Sequence, residues 1–512
     1  MSRKPSGFNR RQFFARSAAA AGAGALGTGI FQGLAATTAQ AAGGQRRAGG
    51  NGYGPLVSAG EDLALPPGFQ YRVISNEDDM MDDGFPTPKA MDGMAAFPLP
   101  NGNVLLIRNH EDGQAGAMLR PRPAGSTSSS AGILNSMLET HYGPRAFAYD
   151  QFAGGGTTSL EVEPRGQRRL VRHHWSLVGT LRNCAGGPTP WGSWLTCEET
   201  LESSSNTGYA RNHGYVFEVP VDTWAGTPAE AVAIHQMGRF AHEAVAVDPV
   251  TGIVYETEDQ GDGSGFYRYI PASRPTRPGD LAGTPGVLQM LKIAGSPQYE
   301  TALDQQPGVP LPVEWVTITQ PDPVPAFANV PGVVPGTTAM LSTVFLEGLA
   351  LGGARFRRLE GCWEANRRIY FVSTNGGNAG FGQVWVYDPV AETLTMLVES
   401  PSHHVFDGPD NICVSPRGGL LVCEDATAAQ YLRGISPSGE IFDFARNLRN
   451  TLEFAGACFS PDGQTLFVNL FGRSTVRTIQ PFRSAVQIPV GPERHERAAT
   501  VAIWGPWGSG PL

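Results

Sequence analysis

Acidic residues and one cysteine recur at a constant spacing in the middle of the chain. Fifteen positions separate the two members of each pair, and the pairs are Cys184–Glu199, Glu243–Glu258, Glu360–Asn375 and Asp410–Asp425. Carboxylate and amide oxygens suit Ca²⁺, whereas the soft thiolate of a cysteine suits a thiophilic metal such as iron or zinc. Because ionised carboxylates cannot crowd together unless cations neutralise them, the pattern predicts a site for cations of both kinds.

The segment between the two members of each pair is typical of a β-hairpin. An alternating apolar strand runs to a glycine-containing turn, such as Pro416–Gly419, and a second β-rich strand returns to a polar end. Six segments share this layout, and they open near Asp92, Cys184, Glu243, Glu360, Asp410 and Gly456. The polar residues at their closing ends are Asn109, Glu111, Glu198, Glu199, Glu258, Asp259, Glu424 and Asp425.

Six such hairpins with irregular insertions between them predict an all-β fold, a six-bladed β-propeller with loop and strand insertions between blades. The innermost strands of a propeller converge on one axis, so residues at their ends meet although they are distant in sequence. A pair of β-sandwiches is the alternative, but sandwiches do not usually repeat one polar-ended hairpin. The chain has 65 glycines and 41 prolines, which excludes a helical bundle.

The N-terminal segment differs from the rest of the chain in composition. Residues 1–41 contain Arg10-Arg11, no acid, and the small-residue cleavage signal Ala39-Gln40-Ala41, which together resemble a twin-arginine export signal. An amphipathic N-terminal helix is the alternative. We expect export to the periplasm or secretion, and no stable membrane anchor, because this segment is poor in Leu, Ile and Val.

The remaining domain boundaries are predicted from local composition. We expect a flexible spacer over 42–60, the propeller over 61–490 with an insertion at about 271–335, and a C-terminal tail over 491–512. The formal net charge is −9, and the basic residues of the signal mask a more acidic body. This balance argues against nucleic acid and anionic membranes as partners.

The six cysteines are too few for a disulfide scaffold, and no CxxC pair indicates structural zinc. Five of them lie in apolar strands and are expected in the core, although Cys413 and Cys423 could form one disulfide across a hairpin. Cys184 differs, because it opens a strand and is followed by Ala185-Gly186-Gly187. It is therefore the candidate soft ligand.

Several of these segments resemble the PhoX family of alkaline phosphatases. The similar runs are Asn183–Gly187, Thr189–Glu199, Asp92–Phe97, Arg108–Glu111, Arg239–Ala244 and Gly265–Tyr269. The resemblance implies a six-bladed propeller exported by the twin-arginine machinery. It further implies phosphomonoester hydrolysis at an axial cluster of about two Fe³⁺ and three Ca²⁺ ions.

The same resemblance implies roles for individual residues. Cys184 would be the iron-binding thiolate, with Glu199, Glu243 or Glu258, and Glu360 as further metal ligands. By their positions, Asp410 and Glu424 would bind calcium. Arg358, two residues before Glu360, would contact phosphate, since guanidinium pairs well with phosphate oxygens.

Two other functions fit parts of the pattern. A calcium-dependent lactonase or phosphotriesterase-like propeller would hold Ca²⁺ on the axis, but it has no use for a thiolate there. A non-enzymatic propeller that binds a protein partner would tolerate uncharged hairpin ends, unlike those found here. We therefore expect a monomeric hydrolase whose substrates are small phosphate esters.

Overall fold

The computed structural model describes residues 52–113, 141–204, 208–225, 227–328, 339–426, 429–472, 476–479, 486–489 and 497–512. The predicted export signal at 1–41 lies outside the described residues. Strands make up nearly all of the regular secondary structure of the described residues, which confirms the all-β prediction. No described helix is long and apolar enough to cross a bilayer.

The strands are short and follow one another closely. In chain order they are β1 (Val57–Ser58), β2 (Leu63–Leu65), β3 (Gln70–Asn76), β4 (Met91–Pro98), β5 (Val104–His110), β6 (Gly155–Val162), β7 (Leu170–Thr180), β8 (Asn183–Pro188), β9 (Ser193–Glu198), β10 (Val216–Pro220), β11 (His242–Val247), β12 (Val254–Glu258), β13 (Phe266–Pro271), β14 (Gly286–Ile293), β15 (Pro310–Thr317), β16 (Ala326–Ala328), β17 (Ala339–Leu341), β18 (Leu359–Ala365), β19 (Arg368–Ser373), β20 (Gln383–Asp388), β21 (Thr393–Glu399), β22 (Pro409–Val414), β23 (Leu420–Glu424), β24 (Tyr431–Ile435), β25 (Ile441–Asn447), β26 (Phe454–Phe459), β27 (Leu466–Leu470), β28 (Val476–Ile479), β29 (Val486–Pro489) and β30 (Ala499–Trp504). The α-helices are α1 (Asp280–Gly283) and α2 (Thr343–Ala350), and 3₁₀ turns span Arg145–Phe147, Val221–Ala225, His235–Met237 and Trp507–Ser509.

Antiparallel pairing assembles the strands into sheets. The strand orders are β4-β5-β6-β7, β8-β9-β10, β11-β12-β13-β14-β15-β21-β20-β19-β18, β22-β23-β24-β25-β2-β1 and β26-β27-β30-β3, with two-stranded ribbons β16-β17 and β28-β29. The nine-stranded sheet consists of two hairpin-rich halves that join where β15 pairs with β21.

The first strands of six hairpins lie side by side around one centre. β4 contacts β8, β8 contacts β11, β11 contacts β18, β18 contacts β22, and β22 contacts β26, which returns to contact β4. This cyclic contact is a propeller-like arrangement, and it places the starts of six distant hairpins around a common centre.

Apolar side chains fill the space between neighbouring sheets. For example, Phe266 of β13 stacks on Phe371 of β19 with ring centroids 4.3 Å apart, and both side chains are fully buried. Burying one such aromatic ring contributes about 1.5–3 kcal/mol. Cores of this kind hold the inner strands at fixed distances from the centre.

Both chain ends contribute to one sheet, which corrects the predicted C-terminal tail over 491–512. β30 pairs with β27 on one side and with β3 on the other. The Tyr53 hydroxyl, inside the predicted 42–60 spacer, donates a hydrogen bond of 2.6 Å to the carbonyl of Leu512. Five of the six residues of β30 are buried, so this segment is a core strand and not a tail.

The predicted insertion at 271–335 also contains sheet structure. β14 and β15 lie within it and extend the sheet that begins with β11. All six cysteines are buried as free thiols, so the structure has no Cys413–Cys423 disulfide. Cys413 is directly opposite Leu421 in the ladder, which places Cys423 two residues further along the neighbouring strand.

Candidate metal centre

Six carboxylates and one thiol lie together where the inner strands begin. Three overlapping groups, each with ligand atoms within 4.8 Å of one another, are Asp92–Glu111–Cys184, Cys184–Glu199–Glu243 and Glu243–Glu360–Asp410. Because Cys184 and Glu243 are each shared by two groups, the seven side chains form one continuous row. We call these seven residues the axial cluster.

A repeated irregularity in the strands aims these side chains at the centre. In five of the six hairpins, the first residue of the inner strand pairs with the neighbouring strand and the register shifts immediately after it, as at Asn183 and His242. The next residue, Cys184 or Glu243, is the candidate ligand. Such β-bulges bend the strand and redirect a side chain, and the same shift follows Met91, Leu359 and Pro409.

Five of the seven predicted metal ligands belong to the axial cluster, and Glu258 and Glu424 do not. The ladder pairs His242 with Glu258 and Pro409 with Glu424. These two acids therefore face the residue before each ligand. Since a step of one residue reverses the direction of a strand side chain, both point away from the axis.

The carboxylates of Glu258 and Glu424 have structural partners instead. Glu258 accepts hydrogen bonds of 2.6 Å from both the Tyr267 and Ser342 hydroxyls. Glu424 accepts one of 2.7 Å from the guanidinium of Arg433. Both acids are fully buried, so they hold neighbouring segments of the fold.

Residues one step further along lie closer to the axial cluster, since, besides burial, Asp425 raises the pKa of Asp410 and Asp259 raises that of Glu360. Asp259 and Asp425 occupy the position that Glu199 occupies in the β8–β9 hairpin, one residue beyond the last ladder pair. The β11–β12 hairpin is one residue longer than β8–β9, so a fixed spacing of fifteen selects Glu258 instead of Asp259. Glu453 also lies in this charged region, since Asp410 and Asp425 raise its pKa in addition to burial.

The acids of the axial cluster are buried close together, which makes it unfavourable for all of them to be ionised at once. Burial raises the pKa of Glu111 to about 7, and burial together with the nearby Asp425 raises that of Asp410 to about 7. Burial and neighbouring acids raise the pKa of Glu243 well above its usual value. Repulsion of this kind is relieved when cations bind.

The Cys184 thiol is surrounded by the same buried acids. Burial, then Glu199 and Glu111, raise the pKa of Cys184 well above its ordinary value, and its Sγ donates to a Glu199 oxygen at 3.0 Å. Asp92 Oδ1 is buried and has no hydrogen-bond partner among the described residues. A partnerless buried carboxylate oxygen beside a thiol fits a bound cation, so the residues present suit a mixed metal cluster.

Arg358 lies at the edge of the axial cluster. Its guanidinium donates hydrogen bonds to Glu360 at 2.6 Å and to Asp259 at 3.1 Å, and about a third of the side chain is exposed. Although burial lowers its pKa, Glu360 and Asp259 outweigh that effect and hold the pKa above its usual value. A fixed cation at this edge can receive an anionic oxygen.

Asn109 holds the strand segment that carries Cys184. Its amide nitrogen donates to the carbonyls of Cys184 at 2.9 Å and Ala185 at 2.7 Å. Its amide oxygen accepts from Trp194 Nε1 at 2.8 Å and from the Thr196 hydroxyl at 2.9 Å. Asn109 is on β5 and therefore fixes the bulge of the neighbouring sheet, a contact that spacing within one hairpin cannot reveal.

Replacing Asn109 by alanine should lower metal affinity by roughly 10–100-fold, the usual cost of losing a residue that orients a metal ligand. The two carbonyls of the bulge lose their donor, so Cys184 is no longer held in place. Equilibrium titration of the metal-free protein with metal measures the effect. The exposed turn residue Asn101, replaced by alanine, serves as the control, and equal affinities in the two variants would show that Asn109 supports only the fold.

A buried histidine beside the axial cluster makes stability depend on pH. His213 Nδ1 lies 2.7 Å from Glu198 and Nε2 lies 3.5 Å from Asp150. Burial lowers its pKa, but the two acids raise it to about 9, above the unperturbed value of 6.5. The imidazolium therefore stabilises the fold fully below pH 6.5, and this stabilisation is lost as the pH rises through about 9.

The expected loss is about 3 kcal/mol of unfolding free energy between pH 6.5 and 9.5, from a shift of roughly 2.5 pKa units at 1.36 kcal/mol each. Urea unfolding at the two pH values measures it. His213→Gln should be less stable at pH 6.5 and should lack this part of the pH dependence. An unchanged pH profile in the variant would refute the charged state of His213.

Fold and site together define a class: a propeller-like all-β hydrolase with a buried acidic metal centre. The sequence model of the alkaline phosphatase PhoX family matches residues 51–472, and the chain belongs to this family. This confirms the resemblance seen in the Cys184–Glu199 region. The chain is a metal-dependent phosphatase that hydrolyses phosphate monoesters.

A solved PhoX structure has a similar fold. Pseudomonas fluorescens PhoX in complex with vanadate, a transition state analogue, is 17% identical, with a TM-score of 0.59 over 91% of this chain and 99% of that one. A gluconolactonase from Xanthomonas campestris is 10% identical, with a TM-score of 0.37 over 88% and 98%. No curated protein matches this chain in a sequence comparison.

Proposed function

We propose that phosphate monoesters are hydrolysed at the axial cluster, with Fe³⁺ and Ca²⁺ as the bound cations. The observation that carries this proposal is the position of Cys184, which shares one group with Asp92 and Glu111 and another with Glu199 and Glu243. A soft thiol between hard oxygen donors supports two kinds of metal in one site. The family resemblance supports about two iron and three calcium ions.

The kind of donor atom changes along the row of seven residues. Cys184 would hold iron, with Glu199 and Glu243 completing its surroundings. Asp410 and Glu360 offer only oxygen donors and would hold calcium, as would Asp92 and Glu111 on their outer side. Bound together, these cations would supply concentrated positive charge that stabilises phosphoryl transfer and favours deprotonation of attacking water.

The residues of the chain then have defined tasks. During phosphoryl transfer, negative charge spreads over the terminal oxygens of the phosphoryl group. Arg358 would bind those oxygens, because its guanidinium lies at the exposed edge of the cluster and carries a charge at every physiological pH. Glu360 and Asp259 hold that guanidinium in place through hydrogen bonds of 2.6 and 3.1 Å.

We also propose six blades, twin-arginine export and a monomeric state. The cyclic contacts of β4, β8, β11, β18, β22 and β26 support the blade number. Arg10-Arg11 and the small residues before position 42 support export to the periplasm or medium. Replacing Arg10 and Arg11 by lysine in the full-length chain should leave the enzyme in the cytoplasmic fraction, and unchanged fractionation would contradict export by this route.

Turnover of an aryl phosphate by the purified protein tests the proposed function. We expect hydrolysis of the monoester, loss of activity after incubation with a strong chelator, and restoration by iron plus calcium. A lactone and an aryl phosphotriester, assayed in parallel, test the calcium-dependent alternative. Activity on either of these with none on the monoester, or full monoester activity without metals, would overturn the proposal.

A further inference from the structure

Two arginines occupy the same position in different hairpins. Arg182 lies two residues before Cys184, and Arg358 lies two residues before Glu360. Both have left-handed backbone conformations, with φ of 50° and 42° respectively. The matching position before Asp410 is Gly408, with φ of 58°, so the fold requires this conformation and glycine would supply it without strain.

Ala90 occupies the matching position before Asp92, also with a positive φ of 50°. The conformation therefore belongs to the start of the hairpin and does not by itself assign a role to the side chain. What Arg182 shares with Arg358 is a guanidinium carried from this position beside the axial cluster, where Arg358 has a role in the proposed reaction.

The two arginines flank one metal ligand. β8, which follows Arg182, and β18, which follows Arg358, both contact β11. Glu243, the residue shared by two groups of the axial cluster, is on β11. Arg182 is therefore next to the part of the row that contains Cys184 and Arg358 next to the part that contains Glu360, with the hairpin of Glu243 between them.

The guanidinium of Arg182 is only loosely held by the protein. Among the described residues its one ion pair is with Glu199 at 3.9 Å, and 43% of the side chain is exposed. That distance exceeds a hydrogen bond, whereas Arg358 is bonded to both of its acids. A Cβ at Gly113 would lie only 3.2 Å from Arg182 Nε and Nη2, so the absence of a side chain there leaves room for the guanidinium.

We propose that Arg182 is a second guanidinium contact for the phosphoryl group, opposite Arg358, and that the pair favours dianionic monoesters over monoanionic diesters. The inference rests on the proposed function. A guanidinium binds two oxygens in a fixed fork, and a monoester offers three terminal oxygens and two charges to two such forks. A diester offers only two terminal oxygens and one charge.

Arg182→Gly separates this role from a structural one. Glycine suits the backbone at this position, so we expect an equal or higher melting temperature and unchanged iron and calcium content. The KM for an aryl phosphate and the inhibition constant of inorganic phosphate should rise by roughly 10–100-fold, the effect of losing charge-assisted hydrogen bonds. Inhibition by dimethyl phosphate, a monoanion, should change at least several-fold less.

Arg182→Lys and Arg72→Gln complete the test. Lysine keeps the charge without the fork and should recover only part of the affinity for phosphate. Arg72 is an exposed arginine bonded to the carbonyl of Gln167, and its replacement should match wild type. Wild-type KM and phosphate inhibition in Arg182→Gly, or metal loss in step with activity, would overturn the proposal. Failure of the proposed function would appear differently, as a wild-type protein that neither hydrolyses the aryl phosphate nor is inhibited by phosphate.

Discussion

Cys184→Ala is expected to reduce aryl phosphate turnover by roughly 10³-fold or more. The thiol is shared by two groups of the axial cluster, so its loss removes a ligand from the middle of the row. A cation that stabilises the transition state contributes several kcal/mol, and each 1.36 kcal/mol changes the rate tenfold. Steady-state kinetics with parallel metal analysis would show activity and iron lost together.

Cys458→Ala is the matched control for Cys184→Ala. Cys458 is equally buried, but it packs among apolar residues such as Met94 and Phe467. Its replacement leaves a small cavity and should cost about 1–2 kcal/mol of unfolding free energy with metal content retained. If the two variants lose activity and stability to the same extent, Cys184 is a core residue and not a ligand.

Removing the metals should destabilise the fold as well as end catalysis. Ionised carboxylates 4.8 Å apart repel one another by about 3–4 kcal/mol at an effective dielectric constant of roughly 20. Several such pairs are comparable with the whole unfolding free energy of a domain, about 5–15 kcal/mol. Protonation relieves part of this repulsion, and bound cations relieve it at neutral pH. Thermal melts should therefore shift to lower temperature with chelator, together with loss of activity.

Two glutamine substitutions test whether the acids of the axial cluster cause the melting shift with chelator. Glu360→Gln removes one charge from the axial cluster, so it should reduce both the turnover rate and the melting shift caused by chelator. Glu258→Gln perturbs the acid that bonds Tyr267 and Ser342 away from the row, and should lower stability equally with and without chelator. Melts of the wild-type protein that superimpose with and without chelator would show that the acids do not share bound cations.

The repeat in the sequence predicted much of this arrangement because four of the hairpins place an acid or a cysteine at the same position. Cys184, Glu243, Glu360 and Asp410 each follow the same ladder position. The closing acids were harder to assign, since Glu258 and Asp259 are adjacent and one residue of turn length decides which faces the axis. Counting positions cannot measure the length of a turn, so the spacing selected Glu258, which the ladder places opposite His242 and outside the axial cluster.

Contacts between different hairpins could not be predicted in the same way. Asn109 reaches a bulge in the next sheet, and β30 pairs with β3 from the opposite end of the chain. These interactions depend on how the sheets are placed around the centre, which no local pattern encodes. Arg182 was missed for a related reason, because its position beside Glu199 of the axial cluster becomes visible only in the folded chain.

Elemental analysis of the purified enzyme, combined with its aryl phosphatase activity, tests the central claim most directly. A protein with one shared cluster should contain iron and calcium together, in amounts that fall in parallel with activity during chelation. Cys184→Ala should lack the iron, whereas Cys458→Ala should retain both metals. An active wild-type enzyme that contains calcium alone, or no metal, would contradict the mixed axial cluster.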